Sequence, residues 1–99
     1  MSRDKESVAG AEGRQAEADA RRIAVVGIAV TQRLKTAPRV NRVLSDYAHI
    51  IIGRMGIPYR ERGISVIALI VDGDTDTLGA MTGKLGSIPG VKVRTAITV

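Results

Sequence analysis

Four strands and two helices in the order βαββαβ, an α+β domain, are what this 99-residue sequence predicts. Three observations carry the prediction. Two short runs rich in β-branched residues, 23–30 and 64–71, are apolar at nearly every position, the pattern of strands buried on both faces. The C-terminal run Val91, Val93, Thr95, Ile97 and Val99 alternates with Lys92, Arg94, Ala96 and Thr98, the period of a half-exposed strand. Between the strands, apolar residues recur twice at the three-and-four spacing of a helix.

The elements follow in order. Residues 1–20 contain no Ile, Leu or aromatic residue and one Val, too little apolar surface to offset the entropy of ordering. Residues 1–21 are therefore expected to be a disordered or frayed polar tail, and 22–99 a single domain. Ile23 to Val30 is strand β1. Thr36 offers an N-cap with Pro38 in the first turn, and Val40, Val43, Leu44 and Tyr47 form the stripe of helix α1. Ile50 to Met55 is β2, Gly56 to Gly63 a turn-rich basic loop, and Ile64 to Val71 β3, together a hairpin. Asp72-Gly73-Asp74 ends β3, and Asp74 caps helix α2, whose Leu78, Met81, Thr82 and Leu85 face the core before Gly86 and Pro89 stop it. Val91 to Val99 is β4.

This order folds most naturally as a ferredoxin-like sandwich, a four-stranded antiparallel sheet with two helices on one face. The two most apolar strands, β1 and β3, are central in that fold, and the alternating, charged β4 lies at an edge. Two helices cover only one sheet face. The apolar residues on the other face of β1, β2 and β3 are thus expected to be buried against a second copy, making the protein a homo-oligomer.

Composition narrows the function. The chain has no Cys, which excludes disulfides, zinc-cysteine clusters, Cys-ligated iron–sulfur clusters and thiol nucleophiles. No cofactor is expected. No run approaches the ~18 consecutive apolar residues of a membrane span, and the polar start shows no signal-peptide pattern, so a cytoplasmic location is the expectation. Charges cancel within residues 1–22, leaving the whole formal +5 on the rest of the chain. That excess favours anionic partners, nucleic acid among them.

Several motifs fail on inspection. Asp72-Gly73-Asp74-Thr75-Asp76 opens like a calcium loop but lacks the Gly at the sixth place and the Glu at the twelfth, held here by Thr77 and Gly83. Gly83-Lys84 lacks the preceding Gly and following hydroxyl of a P-loop, Leu78 and Leu85 standing there instead. Gly53-Arg54-Met55-Gly56 follows a strand rather than forming the loop of an RNA clamp, and the absence of Phe and Trp removes sheet-surface base stacking. Gly79 and Gly83, four apart on one helix face, read as close-packing positions against another backbone. Lone His49 is a weak metal candidate with no neighbouring Cys or His.

The hairpin is the least bland segment. Arg54, Arg60 and Arg62 surround Tyr59 within nine residues, a grouping suited to phosphate, carboxylate or nucleic acid. Arg33 and Lys35, in the connection from β1 to α1, form a second basic candidate site near a helix N-terminus. Catalysis finds little support, because Ser45, Ser65, Ser87 and His49 carry no acyl-transfer signature. The remote enzyme reading is an acylphosphatase-like hydrolase with Arg33 and Asn41 as its site, but the Gly-rich phosphate loop is missing.

Residues 22–30, 53–63, 64–73 and 83–91, the hairpin segment Gly53-Arg54-Met55-Gly56-Ile57-Pro58-Tyr59-Arg60-Glu61-Arg62-Gly63 above all, resemble the iron-only hydrogenase system regulator family. The resemblance implies a ferredoxin-like, oligomeric regulatory domain related to ACT domains and to the C-terminal sensor domain of the nickel-responsive repressor. It implies a role beside a hydrogenase-system protein. The repressor's His and Cys ligand set is absent, and Thr31 to Thr36 lacks the glycine of an ACT ligand loop, so nickel and amino-acid sensing are not expected. The expectation is a non-catalytic oligomeric domain that senses a small-molecule effector or engages a protein; direct DNA binding through the basic hairpin is the alternative.

Overall fold

The structure is a computed structural model that describes residues 21–99 apart from Gln32. Residues 1–20 of the expected tail lie outside the described residues, while Arg21, expected in the tail, begins the first strand by pairing with Asp74. Strand β1 spans Arg21–Val30, helix α1 Arg33–Asp46, β2 Ile51–Tyr59, β3 Ile64–Asp74, α2 Thr75–Gly86 and β4 Val91–Ile97, with single 3-10 turns at Ala48–Ile50 and Arg60–Arg62. All strand pairs are antiparallel, in the order β2-β3-β1-β4. This is the ferredoxin-like α+β fold, with the two most apolar strands at its centre. No helix among the described residues is long and apolar enough to cross a membrane.

The core lies between the sheet and the helices. Ala24, Val26, Ile28 and Val30 of β1 and Ile67, Leu69 and Val71 of β3 point down onto Val40 and Leu44 of α1 and Leu78, Met81 and Leu85 of α2. These are the alternate residues of each strand, as the two-residue period requires. Their neighbours in sequence point the other way, where nothing covers them. The register sets those outward residues in rows across the sheet: Ile57, Val66, Ala29 and Lys92; Met55, Ala68, Gly27 and Arg94; Gly53, Ile70, Val25 and Ala96.

Some strand ends differ from the sequence reading by one or two residues, β1 starting at Arg21, β2 at Ile51 and β4 ending at Ile97, and three further differences carry a physical reason. Helix α1 starts three residues earlier, at Arg33, so Thr36 is not its N-cap. It is buried inside the helix and its hydroxyl donates to the Thr31 carbonyl at 2.9 Å. Pro38 is accordingly an interior helix residue, and it removes the N–H that would have bonded the Leu34 carbonyl. Strand β2 continues through Gly56-Ile57-Pro58-Tyr59, the stretch read as loop. An edge strand tolerates a proline whose missing N–H is turned outward, so β2 can pair with β3 to the tip. Strand β3 likewise runs on through Asp74 instead of stopping at Asp72. The cap of α2 is as expected, Asp74 Oδ1 accepting from the Thr77 N–H at 2.7 Å.

Two turns need glycine. Gly63 closes the hairpin at φ 65°. Gly90 leads into β4 at φ 85°, and its carbonyl accepts from both the N–H (2.8 Å) and hydroxyl (2.9 Å) of Thr31, which ties the end of β1 to the start of β4.

Candidate functional site

The basic hairpin does not gather into one cluster. In the strand alternation Arg54 opposes Leu69 and so lies on the helix side of the sheet, where its guanidinium donates to Asn41 Oδ1 of α1 at 2.9 Å. It acts as a tie between β2 and α1, separate from the hairpin tip. The same bond occupies Asn41, which the acylphosphatase-like reading paired with Arg33. Arg60 and Arg62 stay at the tip in an exposed 3-10 turn, with Glu61 between them. Arg33 opens α1, and its side chain lies outside the described residues.

Tyr59, Arg60 and Lys35 do line one cleft. An open cleft of about 590 Å³ separates the first turn of α1 from the end of the hairpin. Leu34 and Lys35 form one wall, and Pro58, Tyr59, Arg60 and Ile64 the other, with Gly63 at the turn. The cleft thus joins one residue from each basic candidate group to an apolar floor. Sequence reasoning missed Leu34, Pro58 and Ile64. The signal for Leu34 was its phase: at 3.6 residues per turn it lies roughly 120° from Val40, off the core stripe.

The other expected site residues lie on the surface. His49 is exposed in the turn before β2 and stacks on Tyr47 with ring centroids 6.3 Å apart. The described residues contain no group of three His, Cys, Asp or Glu placed to hold a metal. Lys84 lies over the Tyr47 ring at 5.1 Å from its centroid, and its contact with the Tyr47 hydroxyl raises the ammonium pKa. Within the protomer a Cβ built at Gly79 or Gly83 meets nothing within 4 Å, so the backbone these glycines were expected to pack against is not one of the described residues. With Gly86 they line a shallow groove beside Lys92, Val93 and Arg94 of β4.

The open sheet face is the larger feature. Met55 is 64% exposed, Ile57 55% and Ile70 47%, joined by half-exposed Ile23, Val25 and Val66. Gly27 and Ala68 stand side by side in the middle of this face and leave a trough between two ridges of branched side chains. Charges lie at its margins, Lys92 and Arg94 on β4 and the Arg21–Asp72 ion pair (3.6 Å) at the opposite end of the strands.

With this geometry in view, residues 22–95 match the family model TM1266-like, "Iron-only hydrogenase system regulator, putative". The chain belongs to this family. The uncharacterised protein TM1266 from Thermotoga maritima is similar at 38% identity and a TM-score of 0.77, over 80% of this chain and 99% of that one. Two further solved structures share the fold alone. An unknown protein from Galdieria sulphuraria matches at 14% identity and a TM-score of 0.55, over 80% of this chain and 46% of that one. A formyltetrahydrofolate deformylase from Pseudomonas putida KT2440 matches at 13% and 0.54, over 75% of this chain and 28% of that one. No curated protein matches the chain.

Proposed function

We propose that this member of the regulator family is a non-catalytic regulatory module that works as a homo-oligomer, two copies closing their open sheet faces on each other. The observation that carries this reading is the uncovered apolar face of the central strands. A contiguous apolar patch of several branched side chains is costly to leave in water at ~25 cal/mol per Å². A second sheet is the occupant that fits, because its own ridges of Ile70 with Val25 and of Ile57 with Val66 can lie in the trough over Gly27 and Ala68. Family membership supports a regulatory role in the iron-only hydrogenase system.

Sedimentation velocity on the full chain tests the assembly. The wild type is expected to sediment as a dimer or larger at micromolar concentration, and Ile70→Asp as a folded monomer. A wild type that is monomeric at high micromolar concentration overturns the reading.

A further inference from the structure

The cleft between α1 and the hairpin is used neither by the core nor by the open sheet face. Leu34 is 91% exposed, displayed from the first turn of α1 where it contributes nothing to the core stripe. Across from it, Pro58, Tyr59 and Ile64 give an apolar wall, and Tyr59 is 43% exposed. The charges that line the cleft are of one sign. Lys35 and Arg60 stand on its two sides, no carboxylate among the described residues lines it, and neither cation forms an ion pair with a described residue. Nor does α1 place an acidic residue in its first turn, so the positive end of a 14-residue helix faces this region uncompensated.

We propose that this cleft binds a small organic phosphate with a flat apolar body, of the nucleoside monophosphate class. The phosphate sits between Lys35 and Arg60, and the ring lies on Tyr59 with Leu34 and Pro58 at its edges. The volume of about 590 Å³ is that of a small-molecule site. A phosphate monoester carries close to two charges near neutral pH and so matches two facing cations, whereas a monocarboxylate matches one. Arg60 offers a planar fork suited to two phosphate oxygens, and Tyr59 a face for stacking. In the strand alternation Tyr59 follows Met55 and Ile57 on the side of the open face, so it belongs to the cleft and to the margin of that face at once. The consequence, an effector felt by the assembly, rests on the regulatory reading above; the binding itself does not.

Amide NMR titration of the full chain with adenosine 5′-monophosphate tests the site, with adenosine and inorganic phosphate as the separate halves and phenyl phosphate as a second aryl probe. Shifts are expected to concentrate at residues 34–36 and 57–64, with the monophosphate binding at least tenfold tighter than either half. Lys35→Glu and Arg60→Glu are each expected to weaken binding tenfold or more, and Lys92→Glu, a charge reversal on β4, to leave it within twofold. No saturable shift with either aryl phosphate at millimolar concentration overturns the proposal. So do shifts centred on Lys92 and Arg94, an equal loss in Lys92→Glu, or inorganic phosphate binding as tightly as the monophosphate. Sedimentation of the wild type beside the titration separates the two ideas: a monomeric wild type that still binds sinks only the assembly, and an assembled wild type that fails to bind sinks only the cleft.

Discussion

The two faces of one sheet are built from adjacent residues and meet opposite surroundings. In β3, Ile67, Leu69 and Val71 are sealed under two helices, while Val66, Ala68 and Ile70 between them look onto nothing. The covered face is filled with Ile, Leu, Val and Met and buries a single polar side chain, Thr36, among the described residues. The open face is nearly as apolar at its centre but corrugated, with Gly27 and Ala68 sunk between the ridges, and its charges are at the margins. A face that only had to meet water would carry polar residues at alternate positions, as β4 does with Lys92 and Arg94. The difference teaches that hydrophobicity alone does not mark the core here; what separates the faces is whether this chain supplies the second layer.

Charge insertion breaks the comparison most sharply. Leu69→Asp puts a carboxylate at a fully buried site opposite Arg54, whose guanidinium is already engaged by Asn41, and it is expected to cost several kcal/mol, on the order of 3–5, a large share of the stability of a domain this small. Circular dichroism should show loss of the folded signal at neutral pH. Ala68→Asp, one residue earlier, is expected to keep the spectrum and lose the assembly, weakening self-association tenfold or more by sedimentation. If Ala68→Asp unfolds the protomer as Leu69→Asp does, the second layer is needed for folding itself; if it stays assembled, the open face is not the interface.

How much of this was legible in the sequence depends on which signal each residue carries. Periodicity placed the core stripes of α1 and α2 and the inward side of β4 at Val91 and Val93, and the continuous apolar runs of β1 and β3 announced the central strands because both of their faces avoid polar residues, though such runs do not say which face is the core. The cap at Asp74 was legible because its chemistry is local. The hairpin was misread at Gly56 and Pro58, whose usual meaning as turn residues gives way at an edge strand that pairs on one side only. Thr36 looked like a cap because a hydroxyl residue ahead of Pro38 and an apolar stripe is a local helix-start signal, yet its hydroxyl donates to the Thr31 carbonyl of the preceding loop from inside the helix. The basic cluster was legible as residues but not as a site. Strand parity sends Arg54 under the sheet to Asn41 and leaves Tyr59 and Arg60 at the tip, and only the fold brings Lys35 and Leu34 up to them.

The outer side of α2 offers a milder test of where partners lie. Gly79→Ala and Gly83→Ala add a methyl group into open space in the protomer, so each is expected to stabilise the helix by up to about 1 kcal/mol. In a domain of this size that raises the melting temperature by roughly 4–8 °C. Thermal denaturation of the assembled protein reads it directly. A drop in melting temperature instead would show that a neighbouring chain approaches these glycines closely, giving the molecule a second interface besides the open sheet face.

Acid distinguishes the faces with the smallest effect. Asp74, where β3 hands over to α2, has its pKa lowered below 3.8 chiefly by the hydrogen bond from the Thr77 N–H. A carboxylate whose pKa is depressed in the folded state contributes stability that is complete above its unfolded value and is lost as pH falls through the folded one. The window therefore lies below about pH 4, and the loss belongs to the covered face, since the cap anchors α2 against β3. Asp74→Asn keeps a capping oxygen but not the charge, so its stability is expected to trail the wild type slightly at pH 7 and to converge with it in acid. Thermal melts of both proteins between pH 2.5 and 7 check this. Self-association through the apolar face contains no carboxylate at its centre and should hardly change over the upper part of that range. Parallel loss of assembly and of melting temperature from pH 5 downward would mean that an acidic group outside this cap holds the two layers together.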